Sequence, residues 1–181
     1  MTTLAGTGGI KNIHHNGGAD GTGATAQFDG PSGVAVDNAG TVYVADSFND
    51  TIRKITPGGV VTTLAGMVAV QGSADGTGSA AKFNLPSGVA VVDSTGNVYV
   101  ADTGNNTIRE ISPGGFVTTF AGTAGASGSA DGTGGTARFN FPAGVAADRT
   151  GNVYVGDFSN NTIRKITPAG VVTTLAGAGC V

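Results

Sequence analysis

Pro31 to Gly66 reads PSGVAVDNAGTVYVADSFNDTIRKITPGGVVTTLAG. Four short apolar or β-branched runs, 33–37, 41–46, 51–56 and 60–65, are set apart by Gly, Asn, Asp or Pro. Runs of that length suit strands and those separators suit turns, so the stretch predicts four strands joined by three tight turns. The same text recurs from Pro86 as PSGVAVVDSTGNVYVADTGNNTIREISPGGFVTTFAG and from Pro142 as PAGVAADRTGNVYVGDFSNNTIRKITPAGVVTTLAG. Everything else is a joint between copies.

Composition narrows the class. Among 181 residues Gly occurs 33 times and Trp never, and no helical apolar spacing runs free of Gly or Pro. Helices of useful length are therefore excluded, and the Gly residues have no three-residue period, so an all-β fold remains. The net charge of −3 comes almost wholly from Asp, which favours turns, since Glu110 is the only Glu. The nine Lys and Arg are scattered over the copies, which argues against a nucleic-acid partner. A single cysteine, Cys180, excludes an intrachain disulfide and a cysteine-based metal site. MTTLAGTGG has no basic leader region, and no apolar run is long enough to cross a bilayer. The expectation is a soluble protein with no membrane partner. Low Lys with abundant Thr, Gly and Asn fits an exported bacterial one.

Fixing the register on Phe28, Phe83 and Phe139 locates one inserted residue in the second copy, where GVAVVDSTG replaces GVAVDNAG. The TTLAG-like strands beginning at Thr2, Thr62, Thr118 and Thr173 locate five more in the first joint. The repeats span about 28–66, 83–122 and 139–177, and 1–6 is a spare copy of the fourth strand. The second strand of each copy is apolar at consecutive positions, as at Val42, Tyr43, Val44 and Ala45. Consecutive apolar residues require cover on both faces, so neighbouring copies must stack. Stacked four-stranded antiparallel units of this period are blades of a β-propeller. The small, Gly-rich first strand is expected innermost.

The pattern FxxPxGVAVD…GNVYVADxxNxTIRKI, present at Phe28–Ile55, Phe83–Ile111 and Phe139–Ile166, resembles the NHL repeat. The resemblance implies six-bladed propellers that serve mainly as binding modules, with a few lyases. Three repeats supply only three blades, which would leave two apolar side faces open. A second identical chain would complete six, giving a homodimer with a two-fold axis along the pore. The same head-to-tail contact with an axial step would give an open fibre, and a longer natural chain would supply the missing blades itself.

Several residues could carry chemistry. His14 and His15 lie together in KNIHHNGG and are metal candidates, although a site normally needs three or four convergent ligands. Asp20, Asp75 and Asp131 in the ADGTG segments read as turn caps rather than calcium ligands, because the EF-hand spacing is missing. Asp37, Asp93 and Asp148 end the first strand, and Asp46, Asp102 and Asp157 end the second. Such carboxylates could line a pore mouth and bind a cation or polar ligand. Recurrence in every copy favours structural work for them, as for Asn49, Asn105 and Asn160 and for Arg53, Arg109 and Arg164, which could bridge blades. Phe48 and Phe158, read as equivalents, are the aromatics best placed for stacking on a ligand. No catalytic triad, HExxH or phosphate loop is present. The expectation is a non-enzymatic, self-assembling scaffold without a cofactor, binding a protein or small ligand; a metal-dependent lyase or lactonase is the enzymatic alternative.

Overall fold

The structure is a computed structural model and describes residues 3–6 and 17–178. Three antiparallel sheets follow one another along the chain. The first holds β1 (Gly21–Thr22), β2 (Pro31–Val36), β3 (Val42–Asp46), β4 (Thr51–Ile55) and β5 (Val60–Gly66). The second holds β6 (Gly76–Thr77), β7 (Pro86–Val92), β8 (Asn97–Asp102), β9 (Thr107–Ile111) and β10 (Phe116–Gly122). The third holds β11 (Gly132–Thr133), β12 (Pro142–Ala147), β13 (Val153–Asp157), β14 (Thr162–Ile166) and β15 (Val171–Ala176). Each sheet is ordered as β1-β5-β4-β3-β2 is in the first, so these are propeller-like blades of five strands. The four-strand expectation missed the outer strand, which is only Gly-Thr of ADGTG and too short to show a pattern. Helical structure among the described residues is limited to three-residue 3₁₀ turns, and no helix there is long and apolar enough to cross a membrane.

The first long strand of each blade is innermost, as expected. β2 lies against β7, and β7 against β12. A Cβ added to Gly33 would overlap the Ser87 carbonyl oxygen, and one added to Gly88 would overlap that of Ala143. Backbones approach this closely only where the side chain is a hydrogen.

Successive blades sandwich one apolar layer each. Tyr43, Ala45, Ile52 and Ala65 of the first blade meet Ala81, Phe83, Val89, Val98, Val100, Ile111 and Val117 of the second. Tyr99, Ala101, Ile108 and Ala121 then meet Ala137, Phe139, Val153, Val155, Ile166 and Val172. The consecutive apolar residues of β3 and β8 are explained: alternate side chains enter different layers. Ile108 is fully buried, so Ile108→Ala should cost about 2–5 kcal/mol in denaturant unfolding. A cost below about 1 kcal/mol would contradict this packing.

Candidate functional site

Inside every blade one arginine is fully buried. Arg53 Nη1 donates to Asp46 Oδ2 at 2.9 Å and to the Gln27 carbonyl at 2.8 Å. Its Nη2 donates to the Ala19 carbonyl at 3.1 Å and to Asp20 Oδ1 at 2.9 Å. The guanidinium carbon lies 5.1 Å from the centroid of the Phe28 ring. Arg109 repeats this with Asp102, Lys82, Ala74, Asp75 and Phe83, and Arg164 with Asp157, Arg138, Ala130, Asp131 and Phe139. The planar fork of Arg is suited to several acceptors at once. Asn49, Asn105 and Asn160 donate to the same three strand-end carboxylates. The other carboxylate oxygen of each accepts a backbone N–H, from Asp29, Asn84 and Asn140 respectively.

The arginines therefore fasten each joint to the blade that follows it; they do not bridge blades. Asp46, Asp102 and Asp157 are fully buried within this arrangement rather than lining an open mouth. Burial pushes Asp46 and Asp102 upward, Asp102 to about 6, against the opposing pull of their Asn, backbone N–H and Arg donors. Asp20, Asp75 and Asp131 accept both an arginine and the hydroxyl of Thr63, Thr119 or Thr174. The platform role of Phe28, Phe83 and Phe139 was not read from the sequence; the signal was a Phe 25 or 26 residues before each buried Arg. Arg109→Met should cost about 3–5 kcal/mol, because it leaves Asp102 buried and unpaired. The Asp102→Asn/Arg109→Met double variant, in the same unfolding assay, should cost less than the sum of the singles.

At the opposite end of the strands stand Asp37, Asp93 and Asp148. Asp37 Oδ1 accepts the N–H groups of Thr41 at 2.8 Å and Ala39 at 3.0 Å, and Oδ2 accepts the Tyr43 hydroxyl at 3.3 Å. Asp148 is capped likewise by Asn152, Thr150 and Tyr154. Asp93 is different. With one residue inserted before it, Asp93 stays in the turn but no longer caps it: the Val92 carbonyl accepts the Thr95 and Gly96 N–H groups, Tyr99 donates to Glu110 Oε1 at 2.7 Å instead, and Asp93 Oδ1 accepts Asn38 N–H of the neighbouring blade at 2.8 Å. Asp93, Asp148, Asn38, Ser94 and Arg149 line an open cleft of about 430 Å³ at this end of the inner strands, a size that suits a small ligand. Desolvation raises the Asp37 carboxyl, but its N–H and hydroxyl donors outweigh it and hold it low; Asn152 and Thr150 hold Asp148 low. A carboxyl with a lowered folded value lends stability that is complete above the unfolded value near pH 4 and is lost as pH falls through the folded value. Carbon NMR titration should place both midpoints below 3.8, the ordinary value; a midpoint above it would refute the capping.

Phe48 and Phe158 sit at the other end, away from these carboxylates. They are not equivalent. Phe158 opens the 3₁₀ turn where Ser47 and Thr103 stand, whereas Phe48 takes the second place. The Phe48 ring lies over Gly30, whose added Cβ would come within 2.5 Å of it. The other blades carry Leu85 and Phe141 at the Gly30 position, with left-handed φ of 50° and 51°. Such φ values cost bulky residues about 1–3 kcal/mol. Each blade thus shows a large apolar side chain at this corner, Phe48, Leu85 or Phe141, exposed by about two-fifths to one-half. His14, His15 and Cys180 lie outside the described residues; among the described ones no three His, Cys, Asp or Glu converge as a metal site.

The NHL-repeat family model matches residues 28–55, 83–111 and 139–166. The chain contains three NHL repeats. The chain is 38% identical over 102 residues to Protein SUPPRESSOR OF QUENCHING 1, chloroplastic, of Arabidopsis thaliana, covering 56% of this chain and 10% of that protein. It is 34% identical over 100 residues to human NHL repeat-containing protein 2, covering 54% of this chain and 14% of that protein. The matched stretches are thus small fractions of those relatives' lengths. An auxiliary nutrient binding protein of Bacteroides thetaiotaomicron shares the fold, with a TM-score of 0.65 at 24% identity over 79% of this chain and 37% of that one.

Proposed function

We propose that this chain is a non-enzymatic scaffold: half of an NHL propeller, whose open side faces receive a second copy to close a six-bladed ring. The observation that carries this reading is a difference between equivalent residues. Ile52 and Ile108 are fully buried by the next blade, whereas Ile163 in the third blade is 44% exposed. On the opposite side Val34 is 68% exposed, whereas its counterpart Val89 is 5% exposed. The two outer faces carry the residues that the inner junctions bury, and a head-to-tail pair of chains matches them to each other. Closing the ring would add the carboxylate-lined cleft of one copy to that of the other around a shared pore mouth. A small polar ligand or a protein loop is the occupant such a mouth would take.

The repeated polar residues are spent on structure, which supports binding over catalysis. Light scattering during size-exclusion chromatography should give twice the 17.5 kDa chain mass. Very large species growing with concentration would replace the ring with the fibre, and one-chain mass at every concentration, with the spare copy at 1–6 intact or disrupted, would refute self-completion.

A further inference from the structure

The entry face of the first blade is already partly occupied, by residues 4–6 of the same chain. Ala5 packs against Ala26, Val44, Ile55 and Val61. A Cβ at Gly6 would lie 3.3 Å from Phe28 Cδ2, just as one at Gly66 would lie 3.2 Å from Phe83 Cδ2 and one at Gly122 3.2 Å from Phe139 Cδ2. The Leu4 carbonyl faces Gly59 as the Leu64 carbonyl faces Gly115 and the Phe120 carbonyl faces Gly170. Leu4-Ala5-Gly6 therefore occupies on the first blade the place that Leu64-Ala65-Gly66 and Phe120-Ala121-Gly122 occupy on the second and third. It stands in for the fourth strand of a preceding blade. It covers only the outer part of the face, since Val34 and Val36 of the inner strand remain 68% and 61% exposed.

The exit face of the third blade carries the competing copy, Leu175-Ala176-Gly177, with Leu175 57% exposed. Its inner strand is also prepared for a neighbour. Gly33 and Gly88 have the following blade's backbone where a Cβ would be, while Gly144, at the same position, has nothing within 4 Å. At the inner junctions a hydroxyl pair also reaches across: Ser32 and Ser47 donate to the carbonyls of Ser87 and Pro86, and Ser87 and Thr103 donate to those of Ala143 and Pro142. The third blade has Ala143 and the 72% exposed Phe158 in these places. Its junction is apolar where the inner ones are hydrogen-bonded.

We infer that the occupant of the exit face is the first blade of a second copy, docked with Gly144 opposite its Ser32–Gly33 backbone, and that Leu175–Gly177 must displace Leu4–Gly6 from that blade to dock. This rests on the ring-closing reading and specifies its register and its internal competitor. Self-association is then held back by the chain's own first strand text, because the face is competent only when that segment lifts away.

The test measures the dimer dissociation constant of the full-length chain by sedimentation velocity, for the parent, Ala5→Asp and Gly144→Ala. Ala5→Asp sets a carboxylate among apolar side chains in the capped state and releases the segment, so association should tighten at least about tenfold. Gly144→Ala should weaken it roughly 10- to 100-fold without moving the thermal midpoint of the single chain, since its Cβ meets nothing there. Unchanged association in Ala5→Asp would overturn the displacement, and unchanged association in Gly144→Ala would overturn the register, with ring closure surviving in both cases. Single chains at every concentration for both the parent and Ala5→Asp would end the ring reading and this inference together.

Discussion

A buried guanidinium in each blade is the interaction on which the rest depends. Arg53, Arg109 and Arg164 are wholly removed from water, and removing an ion from water costs several kcal/mol unless its donors are satisfied. Here the charge is offset by a strand-end Asp, a joint Asp, two carbonyls and the face of a Phe. Such a pair adds little net stability over an apolar substitute. What it does is select one conformation. The carbonyls belong to irregular joints, and the arginine is the one group long and forked enough to hold both ends of a joint against strands β3–β4 or their repeats.

A fixed joint fixes where the next blade begins, and small residues then set the blade spacing. Gly33 and Gly88 allow inner strands to approach to backbone contact. Further out, Asp50 and Asn106 reach forward from left-handed turns to accept the N–H of Leu85 and Phe141 in the following blade. The strain of those two left-handed residues is thus held by the preceding blade. Local geometry and blade stacking are one system, which is why the outer faces look like interrupted junctions rather than finished surfaces.

The fold was legible because its signals repeat: four apolar runs, each bounded by turn formers, stated three times. The inner position of β2, β7 and β12 followed from their small residues. The Gly-Thr outer strand was not legible, since two residues carry no period. The pairing of Arg53 with Asp46 and Asp20 spans joints whose path only the folded chain defines, so recurrence marked these residues as structural without saying what they touch. The one-residue insertion was visible as an extra Val in GVAVVDSTG, but its consequence was not: it turns Asp93 from a turn cap into a contact with Asn38. Phe158 was aligned to Phe48 by residue type, and the register of the 3₁₀ turns moves it to the place of Ser47.

The central claim is that each arginine makes joint and blade a single cooperative unit, and native-state hydrogen exchange tests it most directly. In the second joint, the amides of Gly72, Lys82, Asn84 and Leu85 are hydrogen-bonded to Phe83, Ala74, Asp102 and Asp50. The account predicts that, as denaturant is raised, these amides exchange with the same free energy as the strand amides of β8 and β9, through global unfolding. Exchange of the joint amides at markedly lower free energy, with β8 and β9 still protected, would contradict it.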